Sequence, residues 1–259
     1  MPRVFKTLLE QNRLIHVLAV GRMPHPVLID LLGLAGGYEG LWLDQEHAGL
    51  TTEQIVNLNF AARANGLGCF VRMPFFHYSL ASQNLESGID GVMAARIGSL
   101  ADAEEFVRWT KFAPQGLRGL NTSGADGHYT GRSAAQLAEA ANRDHLVAVQ
   151  IETVGSLNDA DAIAALDAVD LLFVGPADLS QELGVFGQPS HPKVWEAVDQ
   201  VAAACKKHGK HWGTVAFDPA HADKCVEKGC RMLTFGSDVS AARLGLAAIK
   251  QTFASHFRG

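Results

Sequence analysis

Short apolar runs alternate with amphipathic helical patterns along the whole chain. Several runs, such as Leu171-Leu172-Phe173-Val174, are continuously apolar, which is typical of strands covered on both faces. Eight strands are predicted, over residues 15–20, 40–44, 69–73, 90–94, 146–151, 170–174, 211–215 and 231–235. Eight strands alternating with helices over 259 residues predict a single domain, residues 1–259, with the (β/α)8 TIM-barrel fold of the α/β class. A doubly wound sheet would favour a glycine-rich fingerprint after the first strand, and residues 20–25 do not contain one.

Capping residues mark the boundaries of the predicted helices. Thr51 or Thr52 begins one helix, and Ser190 caps another that Gly209 ends. The last helix follows Gly236-Ser237-Asp238 and carries one apolar stripe, formed by Val239, Ala242, Leu246, Ile249 and Phe253.

The longest connection lies between the fourth and fifth strands. It holds helices near 101–112 and 133–143 and, between them, a polar, glycine-rich loop from Ala113 to Arg132. We expect this loop on the catalytic face, where it is either a lid or a surface excursion.

Composition narrows the classes of function. A formal net charge of −5 without a Lys/Arg cluster argues against a nucleic-acid surface. The N-terminal segment lacks the apolar core of a signal peptide, and no apolar run is long enough to span a membrane. The four cysteines include no Cys-x-x-Cys pair, which predicts reduced, buried thiols and a cytoplasmic protein.

Four polar residues recur at the ends of predicted strands: His47, Arg72, Glu152 and Asp178. A parallel barrel brings the carboxyl ends of all its strands to one face, where barrel active sites lie. We therefore expect an imidazole, a guanidinium and two carboxylates to converge from four distant segments. This set is typical of a site for a metal ion and a keto acid.

Glu152 and Asp178 end neighbouring predicted strands. Two such carboxylates can share a hard divalent cation, with water or substrate oxygens completing its coordination; the alternative is a pair of capping or ion-paired carboxylates. The turn Gly175-Pro176-Ala177 offers backbone amides to a substrate carboxylate, and Gln150 points into the same barrel interior.

His47 and Arg72 supply the complementary chemistry. A histidine can act as general base or acid near neutral pH, and Asp44 and Glu46 flank this one. Arg72 offers a fixed positive charge to an enolate or carboxylate, or else closes the barrel rim in a salt bridge. No lysine falls at the carboxyl end of a predicted strand, which disfavours a Schiff-base aldolase and favours metal chemistry.

Four motifs together resemble the metal-dependent class II pyruvate aldolases of the HpcH/HpaI family. They are Leu43-Asp44-Gln45-Glu46-His47, Val71-Arg72, Gln150-Ile151-Glu152 and Gly175-Pro176-Ala177-Asp178-Leu179-Ser180. The resemblance runs from about residue 15 to the Gly236-Ser237-Asp238 turn and keeps the order and spacing of the motifs.

The resemblance implies a role for each of these residues. Glu152 and Asp178 would bind Mg²⁺, Mn²⁺ or Co²⁺, which pyruvate chelates, and His47 would be the base. Arg72 would steady the pyruvate enolate, Gln150 would lie beside the substrate, and the Ala177 amide in the Gly175-Pro176-Ala177 turn would bind its carboxylate. Asp44 would support the catalytic network. The family also implies a homohexamer whose last helix is exchanged between neighbouring barrels.

Two segments depart from the family pattern. The family pairs the catalytic histidine with an aspartate in a Leu-Asp-x-Gly segment, whereas this chain has Leu85-Glu86-Ser87-Gly88. Glu86 therefore either keeps the pair with shifted geometry or loses it. Met93-Ala94-Ala95-Arg96 replaces a Val-Pro segment, and Arg96 either selects an acidic aldehyde or pairs with a rim carboxylate.

These observations predict an aldolase that reversibly cleaves a 4-hydroxy-2-oxo acid to pyruvate and an aldehyde. One alternative is a CoA-ester lyase of the citrate lyase β/malyl-CoA lyase type, for which we find no basic, adenine-stacking segment. The other is a non-catalytic barrel that binds a keto acid, an interpretation that Glu86 and Arg96 keep open.

Overall fold

The computed structural model describes residues 4–257, and within them eight parallel strands close into a barrel in sequence order. The strands are β1 (Ile15–Val20), β2 (Gly40–Asp44), β3 (Gly68–Pro74), β4 (Gly91–Ala95), β5 (Leu146–Ile151), β6 (Leu171–Val174), β7 (His211–Ala216) and β8 (Met232–Ser237). β1 pairs with both β2 and β8, which closes the barrel. The predicted TIM barrel is confirmed, and so are all eight strands to within two residues at each end.

One helix, α1, precedes the first strand, and the other helices follow the strands on the outside of the barrel. They are α1 (Val4–Glu10), α2 (Pro26–Ala35), α3 (Thr52–Ala64), α4 (Tyr78–Glu86), α5 (Leu100–Thr110), α6 (Ala134–Asp144), α7 (Val154–Asn158), α8 (Ala160–Ala164), α9 (Pro176–Glu182), α10 (Pro192–His208), α11 (Pro219–Glu227) and α12 (Asp238–Thr252), and a 3₁₀ turn follows at Ala254–His256.

The helix caps mostly follow the sequence signals. Thr51 caps α3 in a reciprocal capping box with Gln54, and Gly209 ends α10 in the left-handed conformation with φ 65°. The predicted cap of α10 is wrong by one residue. The cap is His191 rather than Ser190, because its Nδ1 accepts the Lys193 N–H at 3.2 Å and Pro192 fills the first helical position.

A short helix that the hydrophobic pattern did not predict plugs the amino-terminal end of the barrel. α1 buries Phe5, Leu8 and Leu9, and Phe5 fills the space that Cβ atoms on Gly40 and Gly68 would occupy. Because β2 and β3 both begin with glycine, the ring of Phe5 has room to close the bottom of the barrel.

Large apolar side chains fill the middle of the barrel. Trp42 lies edge-on to Phe173 with ring centroids 5.2 Å apart, and Phe70 packs between Trp42 and Phe5. The polar residues at the carboxyl ends of the strands lie directly above this aromatic layer.

The loop from Ala113 to Arg132 lies at the amino-terminal end of the barrel, so its expected place on the catalytic face is wrong. The Ala125 N–H donates to the carbonyl of Glu86 at the end of α4, and Arg118 and Asp126 form a fully buried ion pair at 2.5 Å. The reason is topological, because the loop follows α5, and a helix of a β/α unit runs back to the end where its strand began. The loop is therefore not a lid.

The predicted apolar stripe of α12 is exposed in the single chain. Leu246, Ile249 and Phe253 keep 63%, 51% and 52% of their surface accessible, although stripes of this kind normally face a core. A second exposed stripe lies on α2, formed by Val27, Leu31 and Leu34.

None of the helices in the described part of the chain has the length and hydropathy that a membrane crossing requires. All four cysteines are buried and free, as the sequence predicts.

Candidate active site

Arg72 lies at the centre of the carboxyl-terminal face. β3 directs it into the barrel beside β2, where its Nε and Nη2 donate to the two Asp44 carboxylate oxygens at 3.1 and 2.8 Å. Its Nη1 lies 3.1 Å from Glu46 Oε2, and its guanidinium carbon lies 4.7 Å from the centroid of the Trp42 ring. Because these contacts fix the whole guanidinium plane, Arg72 presents its charge in one orientation.

His47 lies on the loop directly after β2 and stays accessible, with 60% of its side chain exposed. Asp44 Oδ1 accepts the N–H groups of Glu46 and His47 at 3.1 and 3.3 Å, which folds the loop into a tight turn. The imidazole Nε2 lies 3.9 Å from Glu46 Oε2. An exposed imidazole next to a fixed cation and two carboxylates can exchange a proton with a substrate at the barrel mouth.

Glu152 is the most enclosed carboxylate at this face, with 1% of its surface exposed. Its Oε2 accepts from Gln150 Nε2 at 2.5 Å, and its Oε1 accepts the backbone N–H of Arg96 at 2.7 Å. Gly175 must be a glycine here, because a Cβ would lie 2.6 Å from Glu152 Oε2.

Burial and neighbouring charges strongly raise the pKa of Glu152. The pKa of its carboxyl is raised from 4.5 to about 7, because burial and the negative charges of Glu46 and Asp178 together outweigh the N–H of Arg96 and the charge of Arg72. Glu152 and Asp178 are thus close enough to repel each other. Asp178 lies in the first turn of α9 and is partly exposed.

The donor set fits a hard divalent cation. Glu152 and Asp178 are like charges at one place, and Gln150 Oε1 is a buried oxygen that accepts no hydrogen bond from the described residues. A cation would neutralise the first pair and could use the amide oxygen nearby. Within residues 4–257 no three His, Cys, Asp or Glu side chains cluster as a complete metal site, so water or substrate oxygens would supply the remaining ligands.

Arg96 contributes through its backbone. It follows β4 with a positive φ of 53°, an uncommon conformation for a residue with a side chain, and this turns its N–H toward Glu152. Arg96 itself is exposed at the rim. No sequence signal marks this amide, because the backbone conformation of a single residue leaves no pattern.

Glu86 bonds to the loop that follows α5 rather than to His47. It is the last residue of α4, and its Oε2 accepts from Asn121 Nδ2 at 2.8 Å. The structure therefore does not bring Glu86 and His47 together as a bonded pair, although Asn84, two residues earlier in α4, donates to Gln45 Oε1 of the β2 loop at 2.9 Å.

A buried lysine with a lowered pKa lies at the amino-terminal end of the barrel. Burial lowers the pKa of Lys111 to about 8, and its Nζ donates to the carbonyls of Asn142 and His145 at 2.9 and 3.3 Å. These bonds place the amine at the end of α6, away from the site. The expectation that carbonyl chemistry here does not use a Schiff-base lysine stays consistent with this position.

A closed barrel with a fixed guanidinium, an accessible imidazole and buried carboxylates at its carboxyl-terminal face defines a TIM-barrel enzyme. Residues 25–243 match the family model described as HpcH/HpaI aldolase/citrate lyase. The chain belongs to this family, and its chemistry is that of a carbon–carbon lyase.

Individual relatives agree in sequence and in structure. The 5-keto-4-deoxy-D-glucarate aldolase of Klebsiella pneumoniae subsp. pneumoniae is 31% identical over 231 residues, which cover 89% of each chain. The crystal structure of an HpcH/HpaI aldolase from Desulfitobacterium hafniense DCB-2 superposes with a TM-score of 0.90 at 29% identity and 96% coverage of both chains. A family member from Burkholderia cenocepacia J2315 gives a TM-score of 0.88 at 31% identity, covering 96% of this chain and 99% of the other.

Proposed function

We propose that the protein is a class II aldolase that reversibly cleaves a 4-hydroxy-2-oxo acid to pyruvate and an aldehyde. The observation that carries this proposal is that one barrel mouth holds both Glu152, a buried carboxylate with a pKa of about 7, and Arg72, a cation fixed by Asp44. The relatives named 5-keto-4-deoxy-D-glucarate aldolase support a sugar-acid-derived substrate of this chemical class.

Glu152 and Asp178 would hold a divalent cation, Mg²⁺, Mn²⁺ or Co²⁺. When bound, the cation supplies Lewis acidity to the keto group of the substrate. Gln150 positions Glu152 through its hydrogen bond, and the Arg96 N–H holds the other carboxylate oxygen. Both contacts keep the carboxylate in one orientation.

Cleavage needs a base and an electron sink. His47 takes the proton of the C4 hydroxyl, the C4 oxygen becomes the aldehyde carbonyl, and the C3–C4 bond breaks with its electron pair moving into the pyruvate enolate. Arg72 stabilises the negative charge on the enolate, because Asp44 and Glu46 already hold its guanidinium in place. Protonation of the enolate at C3 then gives pyruvate.

The turn after β6 would bind the pyruvate carboxylate. Gly175 leaves space beside Glu152, Pro176 begins α9, and the exposed Ala177 offers its backbone N–H. Arg96, exposed at the rim, remains a candidate for the carboxylate of an acidic aldehyde. Glu86 would assist His47 from a neighbouring copy, because within one chain it bonds to Asn121 instead.

The proposal is tested by measuring pyruvate release from 5-keto-4-deoxy-D-glucarate and a panel of other 4-hydroxy-2-oxo acids, with and without Mg²⁺ or Mn²⁺. We expect release that requires the metal and that EDTA abolishes. Exchange of the pyruvate methyl protons with solvent deuterium separates an enzyme from a keto-acid-binding protein, because a binder gives no exchange above the rate with metal alone. A protein that neither cleaves any of these acids nor exchanges these protons would contradict the proposal.

We further propose that the protein assembles into a homohexamer, in which a neighbouring copy covers the stripe of α12. The stripe and the exposed face of α2 are apolar surfaces that a soluble monomer rarely leaves open. The free, buried thiols fit a reducing compartment, and we place the protein in the cytoplasm.

Leu246→Asp is expected to lower the assembly state, because it puts a charge into the proposed apolar contact. Light scattering after size exclusion should show a mass several times 27.7 kDa for the native chain and a smaller mass for the variant. Gln251→Asp is the control, since it adds the same charge at an exposed polar position of α12. A native chain that elutes as a monomer would overturn the proposed assembly.

A further inference from the structure

Asp238 is a buried carboxylate at the mouth of the barrel that the proposed chemistry does not use. It begins α12 directly after β8 and is 2% exposed. Its Oδ2 accepts three consecutive backbone N–H groups, those of Gly21, Arg22 and Met23, at 2.9, 2.7 and 2.7 Å. Its Oδ1 accepts the Val239 N–H at 2.8 Å. The Asp238 carboxylate, at the start of α12, therefore fixes the backbone of the loop after β1.

The charge on Asp238 is supported by these four bonds. Burial alone would raise the pKa of its carboxyl, but the N–H groups outweigh burial and lower it below the ordinary value. Three successive N–H groups around one oxygen form a concave anion site. The closure of the barrel does not need this arrangement, because β1 and β8 already pair along their length.

The loop held by Asp238 lies against the loop that carries His47. Arg22 Nη2 donates to the His47 carbonyl at 2.9 Å. Gly21 packs against the same loop, since a Cβ on it would lie 2.8 Å from the Ala48 Cβ. His47 is thus held at its N–H by Asp44 and at its carbonyl by Arg22.

We propose that Asp238 and Arg22 are positioning residues that fix His47 at the barrel mouth. This inference rests on the proposed role of His47 as the base. The chain of contacts runs from the Asp238 carboxylate through the loop after β1 to the loop after β2. It sets the place of an imidazole whose own side chain is largely free in solvent.

Arg22→Ala is the direct test, because Arg22 is exposed and its loss should leave the fold intact. We expect kcat for pyruvate release from 5-keto-4-deoxy-D-glucarate, measured with Mg²⁺, to fall about tenfold, since a misplaced catalytic group costs rate. KM and the Mg²⁺ affinity should stay within about twofold, because Arg22 touches neither Arg72 nor Glu152. Arg22→Lys keeps one donor and should recover most of kcat. Asp238→Asn should lower kcat in the same way.

The matched control is Arg13→Ala, an exposed arginine at the opposite end of β1 that pairs with Glu39 at 3.6 Å. Hydrogen exchange measured by mass spectrometry gives a readout independent of activity. Exchange at residues 45–49 should quicken in Arg22→Ala and stay unchanged in Arg13→Ala.

A double-mutant cycle with His47→Asn separates the two levels of the proposal. If His47→Asn lowers turnover to a measurable residual rate and Arg22→Ala adds no further loss to that rate, the positioning role is supported. If His47→Asn abolishes turnover but Arg22→Ala behaves like Arg13→Ala in kcat and exchange, the positioning role is overturned. If His47→Asn leaves kcat unchanged, the proposed base itself is wrong, and the positioning role fails with it.

Discussion

Replacing Glu152 with glutamine is expected to lower metal-dependent pyruvate release on the order of 1,000-fold, as befits the loss of several kcal/mol of transition-state stabilisation. Glutamine keeps the size and one oxygen but loses the charge that a divalent cation requires. In the native chain Gln150 Nε2 donates to a Glu152 carboxylate oxygen. In the variant two amide groups face each other at this place. Steady-state kinetics and calorimetric Mg²⁺ titration measure the two effects.

Glu227→Gln is the matched control for this variant. Glu227 is exposed at the end of α11, at the far end of the barrel, so the same change there should alter neither kcat nor Mg²⁺ affinity. A Glu152→Gln protein that binds Mg²⁺ and turns over like the native chain would show that Glu152 is not a metal ligand.

The same variant has a second, opposite effect on the stability of the metal-free protein. Because the pKa of Glu152 is raised to about 7 in the folded state, the folded state binds a proton more tightly than the unfolded state between pH 4.5 and 7. The free energy of unfolding therefore falls as pH rises through this window, by about 3 kcal/mol for this group. Urea unfolding in EDTA should show that the stability difference between Glu152→Gln and the native chain changes in favour of the variant over that range.

Replacing Arg72 with lysine is expected to slow cleavage about 100-fold or more, which is the usual cost of removing a placed electrostatic donor. A lysine ammonium is a point charge that cannot keep the two bonds to Asp44 and the contact with Glu46 in one plane. The two carboxylates would then compete with the enolate for one mobile cation. The solvent exchange rate of the pyruvate methyl protons reports this loss directly, without an aldehyde.

Arg63→Lys serves as the control, because Arg63 is exposed at the end of α3 and lies outside the barrel mouth. Circular dichroism should show the same fold for both variants. Native rates of proton exchange in Arg72→Lys would mean that Arg72 only closes the rim, which is the other interpretation that its sequence position left open.

The fold was predictable because burial on both faces leaves a direct mark on the sequence. Leu171-Leu172-Phe173-Val174 is typical of a strand that is covered on both sides, and eight predicted strands in alternation with helices leave few topologies. The strand-end residues followed from the same rule, since parallel strands must bring Arg72 and Glu152 to one face.

The sequence by itself determined which residues lie at the mouth of the barrel, but tertiary structure decided how they act together. The family resemblance left open whether Glu86 pairs with His47, and the structure bonds Glu86 to Asn121 of a separate loop instead. The backbone N–H of Arg96 and the grip of Asp238 on the β1 loop depend on single dihedral angles and on contacts between residues more than 200 positions apart. Periodicity records which face of an element is buried; it does not record which distant atom a buried carboxylate will meet.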